Sequence, residues 1–241
     1  LKLLKPMIRT VLKERIANNS MIPFMVKNED TKQAVKQTMH IEPLFPIPIG
    51  ITHIDKVLNK KILEFIKIKQ LKFIKNAGNS ISSDRYILEN DELSDIKKVL
   101  TDSVNQYFKE MVNNDKDTKL YITNSWINVS KNGDSHHAHK HTNSIVSAIL
   151  YIDTCEGDTV SFIKERNEVF GNLSFGNNVT KWGAPTWTVP AMVNTLVMFP
   201  STLPHLVIPR PNTFTGTRIS LSFNTWFKGT IGDGIPTEFH L

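Results

Sequence analysis

Residues Gly216–Phe227 read GTRISLSFNTWF, and this stretch decides the fold class. Ile219, Leu221 and Phe223 alternate with Arg218, Ser220, Ser222 and Asn224, the period-two pattern of a strand with one apolar and one polar face. Working outward, the second half of the chain repeats this idiom. Tyr121–Ser130 predicts a strand with Asn124, Trp126 and Asn128 on one face. Ile145–Ile152, Thr159–Ile163, Trp187–Pro190, Thr195–Phe199 and Leu206–Ile208 predict further strands, separated by turn signals. About eight short strands of this kind predict an antiparallel sandwich or barrel, for which a double-sheet jelly roll is a standard solution.

The first half reads differently. Ile54, Leu58, Ile62, Phe65 and Ile66 form a helical stripe, and Leu93, Ile96, Leu100, Tyr107, Phe108 and Met111 form another. They predict helices over 52–75 and 91–112, started by Thr52 with Asp55 and by Asp91. Three alternating prolines in 42–50 predict an extended edge segment. Leu4, Ile8, Leu12 and Ile16 predict a further helix in residues 1–42, an extension suited to docking on the domain, on a partner or on a second copy. The strand core is expected over 119–228.

Composition narrows the function classes. With 40% apolar and 22% charged residues the chain is an ordinary globular one, and 241 residues bury a core without metal or disulfide staples. One cysteine, Cys155, excludes an intramolecular disulfide framework and suits a reducing compartment. No apolar run predicts a membrane span. The net charge of +6 invites a nucleic-acid reading. The lysines, however, are spread along the helical half (Lys56, Lys60, Lys61, Lys67, Lys69, Lys72, Lys75), as on a solvated helix face. A nucleic-acid partner is not expected, although the charge permits one.

Chemistry concentrates in histidines. His136, His137, His139 and His141 fall within six residues. On a strand, His137, His139 and His141 point one way and His136 the other, and two imidazoles at i and i+2 share a metal readily. A His-rich surface tract that binds metal only casually fits the same letters. His205 follows an apolar strand, and Arg218 comes thirteen residues later on a polar strand face. A guanidinium buried there needs a carboxylate, either from a bound ligand or from an Asp or Glu of the domain.

An H-x-H element, a lone His about 65 residues on, and an Arg-x-Ser on the last strand together resemble the 2-oxoglutarate- and Fe(II)-dependent dioxygenase superfamily. The closer resemblance is to the oxygenases of that superfamily found in cyanophages. It is carried by Ser125–Asn128, Gly133–Ser144, Ser147–Ile152, Gly157-Asp158, Phe199–Ser201 with His205, and Arg218–Asn224, with a start near Leu44–Pro46. It spans residues 43–228 and leaves 1–42 unexplained.

The resemblance implies a mixed α+β fold with N-terminal helices packed on a cupin-like double-stranded β-helix. It further implies Fe(II), 2-oxoglutarate as co-substrate and dioxygen, in a domain at 43–241. The expected activity is hydroxylation of a C–H bond on a protein side chain or small molecule, with release of succinate and carbon dioxide. The expected location is the cytoplasm, the host's cytoplasm if the protein is phage-encoded. Arg218 and Ser220 would hold the distal carboxylate, with Asn128 and Tyr151 adding hydrogen bonds. Trp126, Leu150, Phe199 and Trp226 would keep the site dry, and the length of the loop at 164–185, with Trp182 and Trp187, fits either a lid or a mobile surface loop.

The pattern departs from the superfamily where a carboxylate ligand is usual: that position is His141, and Thr142 stands where relatives have Pro. Three sites are open. His139, His141 and His205 form a triad; or His139 and His205 bind alone with water, as in aspartyl/asparaginyl β-hydroxylases; or His137 pairs with His139. The competing class is a non-catalytic jelly-roll binding or phage assembly module with a vestigial metal site. A zinc hydrolase finds no general base near the histidines and leaves Arg218 and Ser220 without a role.

Overall fold

The computed structural model describes residues 46–112, 117–165, 180, 183–209, 216–232, 234 and 236–241. These belong to the unit Pro46–Leu241. The extension at 1–42, with its expected helix, lies outside the described residues, as do Trp182 and most of the loop at 164–185.

Eight strands carry the core: β4 (Lys119–Ser130), β5 (His136–His139), β6 (Val146–Asp153), β7 (Thr159–Ile163), β8 (Thr186–Pro190), β9 (Thr195–Pro200), β10 (His205–Val207) and β11 (Arg218–Lys228). Three short strands precede them: β1 (Gly50–His53), β2 (Phe73–Lys75) and β3 (Ser80–Ser82). The major sheet runs β1-β9-β6-β11-β4-β3-β2 and the minor sheet β5-β10-β7-β8. All their pairings are antiparallel. This is the jelly-roll arrangement that the strand pattern predicts.

Period two sorts the major sheet into two faces. On one face Ile127, Leu150, Leu196, Leu221 and Phe223 join a buried cluster with helix α1 (Lys56–Ile68) and helix α2 (Ser94–Met111). The stripe Ile96, Leu100, Val104 and Tyr107 of α2 is wholly buried in it, whereas Met111 is exposed. Leu150 therefore serves this helix-side core and does not shield the site, since its neighbour Tyr151 faces the other way. On the second face Tyr151, Val197 and Phe199 meet Val160 and Phe162 of the minor sheet. Gly50 lets β1 pass close to α2: a Cβ there would stand 2.7 Å from the Tyr107 ring.

Local chemistry corrects several boundaries. Asp55 caps α1 by accepting from the Val57 amide at 2.8 Å, so 50–53 is free to pair as β1 with β9. The first helix stops at Ile68, not at 75, because Gln70 takes a left-handed φ of 46°. Residues 73–75 then become β2. Asp91 opens a 3-10 turn (Asp91–Leu93) and does not cap α2, whose N-cap position is Leu93.

Candidate metal and co-substrate site

The four clustered histidines do not alternate as a plain strand would place them. Opposite β10, His139 pairs with His205 while His136 pairs with Val207, so three residue steps on β5 face two on β10. This bulge brings His136 to the same side as His139, with ring centroids 4.3 Å apart. His137 is exposed. His141 lies beyond β5 and is placed by its own amide, which donates to the Ser201 carbonyl at 3.0 Å. Asn143 at φ 53° reverses the chain toward β6, a conformation asparagine tolerates well.

One ring nitrogen each from His139, His141 and His205 lies within 4.8 Å of the others. Each Nδ1 faces an oxygen acceptor. His139 donates to the His137 carbonyl at 2.9 Å, His205 to the Leu203 carbonyl at 3.2 Å, and His141 to Asn224 Oδ1 at 2.5 Å. An Nδ1 that donates leaves Nε2 as the lone-pair nitrogen, the tautomer a metal needs. Asn224 Oδ1 is itself held by Ser147 Oγ at 2.8 Å, and Ser201 Oγ bridges Ser147 and Ser144. Burial is the largest cause pushing the pKa of all three imidazoles below the ordinary histidine range, with His205 down to about 3. The trio is thus a neutral donor set suited to a borderline transition-metal ion. Among the described residues, no Asp, Glu or Cys joins it.

The histidines open into a cavity of about 590 Å3 between the sheets. Arg218, Ser220, Asn128 and Tyr151 all line it, with Trp126 and Ser222. Arg218 is buried; its guanidinium donates to Ser130 Oγ at 3.1 Å and to the Thr159 carbonyl at 3.4 Å. Asp158 stands 3.9 Å away, too far for a hydrogen bond. The intramolecular carboxylate foreseen as the alternative partner of Arg218 therefore exists, as an ion pair between two buried side chains. Tyr151 is fully buried, which pushes its phenol pKa up, while the nearby Arg218 cation opposes that rise. Asn128 is tied down by Trp126 Nε1 at 3.2 Å and by its own donation to Ser222 Oγ at 2.9 Å.

The expected apolar shell is only half present. Phe199 packs its ring 4.7 Å from that of His205, and Trp126 stacks on His141 at 5.9 Å. Trp226 instead packs beside Phe227, is 36% exposed and does not line the cavity. A bulge between Asn224 and Thr225 interrupts β11 just before it. Trp187 is exposed on β8. Two contributors escaped the sequence reading. Asn224 as the partner of His141 was detectable from its place on the polar face of β11. Arg85, in an aperiodic turn, carried no signal.

Residues 124–224 match the model of a family described as "Putative 2OG-Fe(II) oxygenase". No curated protein matches the sequence. Solved structures that it resembles include a Pseudomonas putida prolyl-4-hydroxylase (14% identity, TM-score 0.50, covering 75% of this chain and 92% of that one). Another is HygX from Streptomyces hygroscopicus with nickel, 2-oxoglutarate and hygromycin B (9%, TM-score 0.52, covering 74% and 82%). A third is the epimerase SnoN with Fe3+, alpha ketoglutarate and nogalamycin RO (10%, TM-score 0.55, covering 81% and 91%). At such identities the likeness establishes the fold.

Proposed function

We propose, from the match of residues 124–224 to a family described as "Putative 2OG-Fe(II) oxygenase", that this chain is a 2-oxoglutarate/Fe(II) oxygenase with an all-histidine iron site. Fe(II) and 2-oxoglutarate are the cofactor and co-substrate of that family. The ligands in this reading are His139, His141 and His205, each through Nε2. The observation that carries it is the set of three Nδ1–H donations, which fixes all three imidazoles in the ligating tautomer.

The charge balance supports the same reading. Three neutral imidazoles leave the ion's two positive charges uncompensated, and a dianionic oxo acid supplies the missing negative charge. Arg218 and Ser220 hold its distal carboxylate, with the guanidinium fork already oriented by Ser130 and Thr159. Tyr151 lines the cavity near Arg218, and the packed Phe199 and Phe162 rings stand against His205 and keep water from that ligand. Iron and 2-oxoglutarate, when bound, supply the oxidising chemistry, reducing dioxygen with release of succinate and carbon dioxide. The protein's own part is to orient the ligands, anchor the carboxylate and exclude water. The oxidised group in this reading is a C–H bond of a small molecule or protein side chain. Kinship with the cyanophage proteins belongs to the same proposal.

The test is 2-oxoglutarate turnover to succinate with added Fe(II). Wild type forms succinate, His205→Ala forms none, and Arg218→Ala needs far more 2-oxoglutarate. Equal succinate from all three proteins would overturn the reading.

A further inference from the structure

The cavity holds a second guanidinium that the co-substrate does not account for. Arg85 lines it, and its side chain rests over the Trp126 ring at 5.8 Å. The placement is built into the backbone. The Arg85 carbonyl accepts from the Ser125 amide at 2.8 Å, the Tyr86 amide donates to Asp84 Oδ1 at 2.7 Å, and Tyr86 bridges to Ser125. The indole is fixed in turn by Asn128 and stacks on His141. Arg85 thus adjoins Trp126, and Trp126 adjoins His141, itself one of the candidate metal ligands.

Arg85 is exposed, and among the described residues no carboxylate pairs with it. No Asp or Glu among the described residues lines the cavity either. Arg85 and Arg218 are held at different places along β4: Arg85 beside Trp126 and Arg218 at Ser130, two positions whose backbones are four residues, roughly 13 Å, apart at the rise of a strand.

We propose that Arg85 is the substrate-side anchor of this site, receiving an anionic group, a carboxylate or a phosphate, on the molecule to be oxidised. This rests on the oxygenase reading above. The anion would pair with the guanidinium while the rest of the substrate lies along Trp126 toward the histidines. The absence of a lining carboxylate would favour anionic molecules over their neutral counterparts.

The experiment uses the Fe(II)- and 2-oxoglutarate-loaded protein kept without oxygen. The probes are free amino acids against their carboxamides, and nucleoside monophosphates against their nucleosides, with binding followed by calorimetry. The visible band of the iron–oxo-acid complex is recorded in each sample. At least one anionic probe is expected to bind where its neutral counterpart does not. Arg85→Gln should weaken it about 10- to 100-fold, the range of a lost charged hydrogen bond, and leave the band unchanged. The pair that responds separates carboxylate from phosphate. Anionic probes that bind no better than neutral ones, or bind Arg85→Gln as tightly as wild type, overturn the proposal. A missing band in wild type with Arg85-dependent binding intact would instead strike the oxygenase reading alone.

Discussion

The two faces of the major sheet share the same strands and do opposite work. On β11, Leu221 and Phe223 are completely buried against the helices, while Arg218, Ser220, Ser222 and Asn224 are nearly as buried but point between the sheets. The first face is apolar and its burial drives folding. The second keeps hydroxyls, amides and a guanidinium out of bulk water, at a cost that their hydrogen bonds offset only in part.

The largest effect expected from this division is at His205. His205→Ala should lose all Fe(II)-dependent succinate formation while keeping a cooperative thermal transition. A folded variant with wild-type turnover would break the comparison. On the opposite face, Leu221→Ala should cost about 2–5 kcal/mol of stability, as buried leucines typically do, measured by urea unfolding. Its affinity for 2-oxoglutarate below the unfolding temperature should match wild type. A large loss of affinity there would mean that the faces are not separate.

Arg218→Ala should weaken 2-oxoglutarate binding roughly 10- to 100-fold, the loss of a charge-assisted hydrogen bond, in an anaerobic calorimetric titration. Asn224→Ala should lower metal affinity by about 10- to 100-fold, as loss of an outer-shell partner does. Asn224→Asp, which keeps the acceptor on His141, should restore most of it. No rescue would argue that Asn224 acts only through packing.

The smallest effect is in pH. Burial holds the pKa values of His139, His141 and His205 below the unfolded value of about 6.5. Between that value and the depressed ones, the unfolded chain binds more protons than the folded chain. Stability of the metal-free protein therefore rises with pH across this window and is lost as pH falls below about 6.5. For His205 the loss continues down to about pH 3. Thermal midpoints in chelator across this range should show the slope, and His205→Asn should flatten it. An equal slope in both proteins would assign it to other groups.

Much of this was legible in the sequence for a physical reason. Alternation on a half-buried strand records which face is wet, so the polar row on β11 and the stripe on α2 could be read directly. Clustered histidines likewise advertise shared chemistry. What local pattern could not carry was geometry set by distant partners. The bulge on β5 depends on its pairing with β10, and it places His136 beside His139 against strict alternation. The end of α1 turned on one left-handed residue, Gln70. Trp226 and Leu150, read as site shell, face elsewhere because a bulge and simple parity decide their direction. Arg85 sits in a turn without periodicity, and only its backbone bond to Ser125 brings it over Trp126.

The central claim is that three histidines and Arg218 together hold a metal-chelated oxo acid between the sheets. Anaerobic titration of Fe(II) with 2-oxoglutarate, followed by visible absorption, tests it most directly. A weak charge-transfer band that requires both components, and that Arg218→Ala shifts to much higher 2-oxoglutarate concentration, is the predicted result. Bound Fe(II) with no band at any 2-oxoglutarate concentration would contradict it.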